Sequence, residues 1–312
     1  LDGDVLRRLS QIDRDPARVV AAILASARPD GARLVDVAAL AQSTNPELRA
    51  AGISLFAQRP LDDLVADLDA VAAFLSADAK EPREAARPIA ERIGRERPDA
   101  ARALAEKLLP AIYRAEDHEG LREDVYQVLS KDLRGGVIAL GSETTWTLLR
   151  ARAEPARRLG ADVLDGFTAT DFSIRQLARI GCNDQVKARR WALAQLHARI
   201  EDVRAEPEAG FALLDCAFED ARDAGYALCR GELKPEDWTG EASVALSDSI
   251  TEPAQRFGRE MIGKVFEAKN ADVTHMMMAT GVDAPRDVDL DVADFLLSAI
   301  VGKLATDGLG NR

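Results

Sequence analysis

Residues 153–164 read AEPARRLGADVL, and their pattern is the starting point for predicting the fold of this chain. A proline near its start is followed two residues later by Arg157 and then by Gly160, ahead of an apolar run. An arginine close to a glycine is compatible with an anion site and equally with a structural position in a helix. The choice between these readings depends on whether the pattern repeats, because self-similarity at a fixed period is the signature of repeat folds.

The same arrangement recurs through the chain. Each copy carries an anchor residue, usually a small residue three positions later and an uncharged residue seven positions later. The anchors are Arg18, Arg49, Arg83, Arg122, Arg157, Arg189 and Arg222, with Gln255 and Val288 at the corresponding position of two further copies. Glycine is the small residue at Gly52, Gly160, Gly225 and Gly258. Successive anchors are 31 to 39 residues apart, a spacing typical of helical repeats.

Each repeat predicts two helices. Proline or an acidic residue opens the second helix, and proline suits the first helical position because no amide hydrogen is needed there. The anchor arginine lies in the first turn of this second helix, and apolar segments such as residues 34–42 and 100–113 form first helices. The helical period dominates and no alternating run indicates a strand. We therefore predict an all-α fold.

A pair of short helices cannot bury its own apolar faces, whereas a stack of pairs can. The proline or aspartate at the turn, the early arginine and the small residue one turn later make the chain resemble the HEAT/armadillo class of helical repeats. The resemblance implies one right-handed α-solenoid of about eight to nine HEAT-like two-helix repeats over residues 1–312. The units are shorter than a usual HEAT repeat, and their boundaries within 84–143 stay open. We expect an irregular break at 132–143, DLRGGVIALGSE, between runs of repeats at 1–131 and 144–312.

On a helical wheel the anchor arginine lies on the flank of the apolar arc. Its stem is therefore expected to lie along packed surface while the guanidinium reaches the neighbouring repeat. The resemblance implies a ladder between such arginines and acidic residues of adjacent units. We interpret the arginines as structural, and a column of anion-binding arginines is the alternative.

Positions one, five and eight after the anchor point away from the buried arc and predict an exposed face that could bind a partner. This candidate face comprises Arg158, Asp162, Arg190, His197, Asp223, Arg230, Arg256 and Glu260, together with Trp238 in a loop. Its alternating charges suit a patterned protein surface better than a phosphate backbone. A merely solvated face is the alternative reading.

Composition narrows the classes of partner. Lys and Arg number 41 against 53 Asp and Glu, a formal net charge of −12, which repels phosphate backbones and anionic lipid unless the basic residues cluster. Three cysteines form no framework, and Cys216 and Cys229 are placed to approach each other across a helix pair. With no signal segment and no apolar run of about 20 residues, we expect a cytoplasmic protein without a membrane span. The first residue is Leu, which leaves open that the chain belongs to a larger polypeptide.

The sequence contains no P-loop, HExxH or GxSxG motif, and its three histidines are far apart. We therefore expect no enzyme activity, no cofactor and no metal site. The expected function is a non-catalytic protein–protein interaction scaffold or adaptor. The alternative is a nucleic-acid-binding or DNA-repair protein of the glycosylase-like kind found among HEAT-like solenoids, which needs a concave basic track and a catalytic Asp.

Overall fold

The structure is a computed structural model that describes residues 33–114, 118, 120–234, 237, 246, 249 and 251–260. Throughout these ranges the chain is helical and contains no β-strand, so the all-α prediction is confirmed. The chain divides into two compact units, Leu1–Phe167 and Thr168–Arg312. Three residues singled out in the sequence, Arg18, Trp238 and Val288, lie outside the described residues.

The first unit is a succession of helices joined by short turns. They are α1 Leu34–Ala41, α2 Pro46–Ala57, α3 Leu61–Ala66, α4 Leu68–Leu75, α5 Lys80–Glu96, α6 Pro98–Tyr113, α7 Leu121–Gln127, a π-helical turn Val128–Asp132, α8 Arg134–Ala139, α9 Ser142–Leu149, α10 Glu154–Val163 and a 3-10 turn Leu164–Gly166. Proline opens several of them, as at α2, where the Asn45 side chain also accepts hydrogen bonds from the amides of Glu47 (2.9 Å) and Leu48 (3.3 Å).

Within this unit the helices pack in pairs, and each pair packs on the next. Helix α1 packs against α2, and α9 against α10. The first helices contact first helices, α1 on α4 and α4 on α6, while α2 contacts α5 and α7 contacts α10. Their buried faces form a core of Leu, Val, Ala and Ile in which the rings of Phe56 and Phe74 stack with their centroids 3.8 Å apart. Burial between neighbouring pairs therefore supplies the apolar contacts that one pair lacks.

The stretch 132–143, which we expect as an irregular break, is mostly helical. The amide of Leu133 donates to the carbonyl of Val128 at 2.8 Å and closes the π-helical turn, and α8 follows at once. A Cβ added to Gly136 would lie 2.5 Å from the carbonyl oxygen of Ala101. Gly136 is therefore needed for close packing of α8 on α6 rather than for a loop. Gly141, with φ at +96°, lies between α8 and α9.

The second unit contains the same kind of pairing. Its elements are a 3-10 turn Ala169–Asp171, α11 Ile174–Gly181, α12 Val186–Ala198, α13 Ile200–Ala205, α14 Glu208–Leu214, α15 Glu219–Gly231 and helical residues 252–260. Helix α11 packs on α12 and α14 on α15, and across pairs α11 contacts α14 and α12 contacts α15. A capping box fixes the start of α11, since Ser173 and Gln176 exchange side-chain to backbone hydrogen bonds. Among the described residues no helix combines the length and apolar character that crossing a membrane requires.

Candidate functional site

The anchor arginines hold the turn between the two helices of their own pair. Arg157 Nη1 donates to the carbonyl oxygens of Ala151 (2.9 Å) and Arg152 (2.7 Å), two and three residues past the end of α9. The same contact recurs from Arg49 to Ser43 and Thr44, from Arg83 to Ala77 and Asp78, from Arg189 to Asn183 and Asp184, and from Arg222 to Cys216. These turn carbonyls lie outside the helical hydrogen-bond ladder, so a charged donor satisfies groups that would otherwise be costly to bury.

In two copies the contact between the anchor side chain and a turn carbonyl takes a different form. Gln255 Nε2 donates to the carbonyl of Ser249 at 2.7 Å, which preserves the contact without the charge. Arg122 instead donates from Nη2 to the carbonyl of Arg114. Its Nε is buried and has no hydrogen-bond partner within the described part of the chain. The carbonyl contact, rather than the positive charge, is thus the feature that the copies share.

Three of the arginines also reach an acidic residue of the next pair. Arg83 Nε donates to Asp124 Oδ2 at 2.8 Å. Arg189 Nε lies 3.0 Å from both carboxylate oxygens of Asp220, and Arg49 Nη2 lies 3.3 Å from Glu81. Because Arg83 and Arg189 are only 3% and 7% exposed, their guanidinium groups are engaged in contacts within the fold and are not accessible to a bound anion.

The glycines three residues after the anchors let the two helices of a pair approach closely. A Cβ at Gly52 would lie 2.6 Å from the amide nitrogen of Ala41, and one at Gly225 would lie 2.9 Å from Leu213 Cβ. A Cβ at Gly160 would lie 3.0 Å from Leu149 Cγ and from its amide nitrogen. Gly258 is buried. Any side chain at these positions would push the first helix away from the second.

In the first unit the two candidate-face residues are tied to α7. The Arg158 guanidinium lies over the Tyr126 ring, 4.0 Å from its centroid, and pairs with Glu123 at 3.2 Å. Asp162 Oδ2 accepts a hydrogen bond of 2.5 Å from the Tyr126 hydroxyl. Burial, and then the bond to Asp162, raise the pKa of Tyr126, which keeps the phenol protonated as a donor. Arg158 and Asp162 are half-buried parts of the junction between α7 and α10.

In the second unit the candidate face is more open. Arg190, His197 and Asp223 are exposed, and no salt bridge to another described residue engages them. Arg230 lies over the Phe257 ring at 4.9 Å and 3.8 Å from Glu260. Arg256 pairs with Glu252 one turn earlier at 3.2 Å. Three charged or polar side chains on α12 and α15 therefore remain free to contact a partner.

A cavity of about 390 Å³ between α12 and α15, which sequence reasoning missed, opens beside these side chains. We call it the α12–α15 groove. It is lined by Leu193, Leu196 and His197 of α12, by Leu213 of α14, by Ala224, Ala227 and Leu228 of α15, and by Glu232. The signal that could have revealed it is that α15 has alanine at both the second and the fifth position after its anchor, Ala224 and Ala227, whereas α2, α5, α7, α10 and α12 have alanine at no more than one of the two.

The structure brings together no group of three or more His, Cys, Asp or Glu able to hold a metal among the described residues. The cysteine placed beside Cys216 is Cys182, whose thiol lies within hydrogen-bonding reach of it. Burial, followed by this neighbour, raises the pKa of Cys182, and burial raises the pKa of Cys229 to about 12. Both groups are therefore held as thiols at neutral pH, which makes them poor nucleophiles.

Comparison with known proteins gives little to set beside this geometry. No family model matches the chain, and no curated protein matches it. Among solved structures, the X-ray structure of the E. coli protein YibA is similar, with 13% identity and a TM-score of 0.35, over 82% of this chain and 98% of that one. A TM-score this low does not establish a shared fold.

Proposed function

We propose that the chain is a right-handed α-solenoid of about eight to nine HEAT-like repeats that serves as a non-catalytic protein-interaction scaffold in the cytoplasm. Support for the repeat arrangement comes from the packing of first helix on first helix and second on second inside each unit. The arginine contacts add to it, because Arg83 and Arg189 each join an interhelix turn to the following pair.

The observation that carries the functional proposal is the free, mixed-charge face of α12 and α15. Arg190 and Asp223 are exposed on neighbouring helices and lack ion-pair partners among the described residues, so binding a partner would not first have to break an internal salt bridge. Side chains of both signs on one surface favour a protein whose charges alternate in the complementary sense. The second helices, rather than the buried arginine column, are the proposed binding surface.

The arginine column weakens the nucleic-acid alternative. Phosphate recognition needs accessible cations, yet Arg83 and Arg189 are buried and paired with Asp124 and Asp220. With a net charge of −12, the chain favours a protein partner over a nucleic acid. The two alternatives differ in a simple observable, namely whether captured material survives nuclease.

The test is affinity capture from a lysate of the source organism, with and without nuclease, using the wild type and a charge swap, Arg190→Glu with Asp223→Arg. The matched control is the swap Arg102→Glu with Glu106→Arg on α6, which exchanges two exposed side chains in the same way. We expect a stoichiometric protein that survives nuclease, is lost with the first swap and is retained with the second. Recovery of nucleic acid, or of nothing, would refute the scaffold function.

A further inference from the structure

In two junctions between consecutive second helices that the structure describes, a tyrosine reaches the next second helix, although one of them, between α15 and residues 252–260, still holds a cavity of about 240 Å³ beside Tyr226 and Phe257. Between α7 and α10 the hydroxyl of Tyr126 bonds to Asp162. Between α15 and residues 252–260 the ring of Tyr226 meets Phe257 edge-on, with centroids 5.4 Å apart. In both junctions a tyrosine four residues after the anchor packs against a large or charged residue of the next second helix.

The junction between α12 and α15 has smaller residues at the same positions. Leu193 stands four residues after its anchor, where the two junctions just described have tyrosine. Facing it, Ala224 and Ala227 stand two and five residues after their anchor, the positions of Phe257 and Asp162 in the two junctions that contain tyrosine. The α12–α15 groove is the space that these substitutions leave open. The groove therefore results from the residues at these three positions, while the anchor arginines of the same two repeats are retained.

Both ends of the groove are fixed by hydrogen bonds. At the start of the two helices Arg189 pairs with Asp220 and lies over the Phe218 ring at 4.1 Å. At the other end the carbonyl of Glu232 accepts a hydrogen bond of 2.9 Å from Arg204 Nε. The apolar space between these ends is thus preformed, which lowers the cost of ordering it on binding.

The two walls carry opposite charge. Val186, Arg190, Leu193 and His197 follow one another at intervals of four, three and four residues, so they form a stripe along α12. Val186 is 46% exposed, and α12, VKARRWALAQLHA, contains no acidic residue. On the α15 side Asp223 is exposed and acidic, Glu232 lines the groove but lies 3.9 Å from Arg204, and Arg230 is engaged with Phe257 and Glu260 beyond the groove.

We propose that the α12–α15 groove binds an amphipathic helix of a protein partner. The helix inserts two apolar side chains one turn apart. Acidic residues on one of its flanks face Arg190 and His197, and basic residues on the other face Asp223. This assignment rests on the proposed scaffold function and specifies the partner's chemistry. Apolar cavities of about 150 Å³ already accept a benzene-sized group, so about 390 Å³ accommodates two side chains.

The charge pattern favours a helix over a small apolar ligand. An apolar molecule would fill the space but would leave Arg190 and Asp223, on opposite walls, without partners. A helix lying along the groove presents both signs at once, because residues on its two flanks differ by only one or two positions in sequence. Binding of an apolar small molecule is therefore an outcome that counts against the assignment.

The probe is a phage-displayed library of amphipathic helical peptides, panned on the full chain. Selected peptides are measured by fluorescence anisotropy on the wild type, on the groove-filling variants Ala227→Phe and Ala227→Leu, and on the control Ala212→Phe, an exposed alanine of α14. We expect the selected peptides to have apolar residues three or four positions apart, with acidic residues on one side of the apolar stripe and basic residues on the other. Filling the groove should weaken binding at least about tenfold, and the control should leave it unchanged.

Thermal unfolding of each variant separates blocked binding from misfolding, and the smaller Ala227→Leu provides a second test if Ala227→Phe is unstable. Selected peptides that bind Ala227→Phe as tightly as wild type would overturn the groove assignment, as would a library with no binder above background. An apolar dye such as anilinonaphthalene sulfonate that binds wild type but not Ala227→Phe, with no peptide selected, would identify a small-ligand cavity instead. A lysate partner that still binds Ala227→Phe would leave the scaffold function standing and remove only the groove.

Discussion

Replacing Arg83 is the most direct test of the idea that the anchor arginines support the fold. The side chain is 3% exposed and donates to the carbonyls of Ala77 and Asp78 and to the carboxylate of Asp124, each at 2.8 Å. Hydrogen bonds from a charged donor each contribute about 1.5–3 kcal/mol. Because Asp124 is 35% exposed, its carboxylate regains water when the arginine is lost, which reduces the penalty.

We therefore expect Arg83→Ala to lower the free energy of unfolding by about 3 kcal/mol, the lower end of what breaking a buried ion pair costs. Arg83→Gln should lose about half as much, because an amide at the corresponding position, Gln255, makes the turn contact in the native chain. The control is Arg97→Gln. Arg97 is 48% exposed and pairs at 2.9 Å with Asp62, which is 81% exposed, so its loss should cost less than about 1 kcal/mol.

Urea denaturation followed by tryptophan fluorescence measures these differences. Trp146 is the sole tryptophan in residues 1–167, so a background in which Trp191 and Trp238 are replaced by Phe reports on the unit that contains Arg83. Equal losses for Arg83→Gln and Arg97→Gln would show that the turn contact is dispensable. The arginine column would then have to be reconsidered as a binding feature.

Three further predictions concern other parts of the chain. Gly136→Ala should destabilise the first unit by about 2 kcal/mol or more, because a Cβ there meets a carbonyl oxygen at 2.5 Å. Gly135→Ala, with nothing within 4 Å of its Cβ, should stabilise it by about 0.5–1 kcal/mol, and the same loss in both variants would contradict the close packing of α8. Cys229 has a folded-state pKa of about 12, above the unfolded value of about 8.5, so its contribution to stability is full below pH 8.5 and is lost as the pH rises towards 12. Cys229→Ala should flatten that slope in urea titrations, and an unchanged slope would assign the pH dependence to other groups. Leu193→Tyr with Ala227→Asp transplants the tyrosine–aspartate contact of the α7–α10 junction into the α12–α15 groove and should abolish peptide binding while the melting temperature is kept or raised; retained binding would refute the groove.

The sequence was sufficient to predict helical pairs, but not which acidic residue each anchor arginine would reach. The anchor spacing and the turn prolines are local features, and the all-helical structure agrees with them. The acidic partners are not at a constant distance from the anchors. Glu81 stands two residues before its own repeat's anchor and Asp124 two residues after. A one-dimensional period cannot show which of two nearby carboxylates a guanidinium will reach, since that depends on the rotation of neighbouring helices.

The helical structure at 134–139 and the groove went unpredicted for a common reason. Paired glycines predict a loop when only local backbone freedom is considered, whereas Gly136 is required by a carbonyl more than 30 residues away in the chain. The groove likewise depends on Leu193 and Ala227, which belong to different repeats and are each unremarkable alone. Both features depend on residues that are distant in sequence and adjacent in space, and they become visible only when equivalent positions of several repeats are compared.

That comparison separates the positions that stabilise the repeat from those that vary its surface. The anchor and the glycine three residues later make the same contacts with the preceding helix or turn in copy after copy, so substituting either should cost stability without selecting a partner. Positions four and five after the anchor instead contact the neighbouring second helix, where they form a tyrosine–aspartate hydrogen bond in one junction and an open groove in another. Because the anchor contacts do not depend on these residues, the junctions can differ while the stack is preserved. Binding specificity in such a chain is therefore expected to reside in the junctions that are left unfilled.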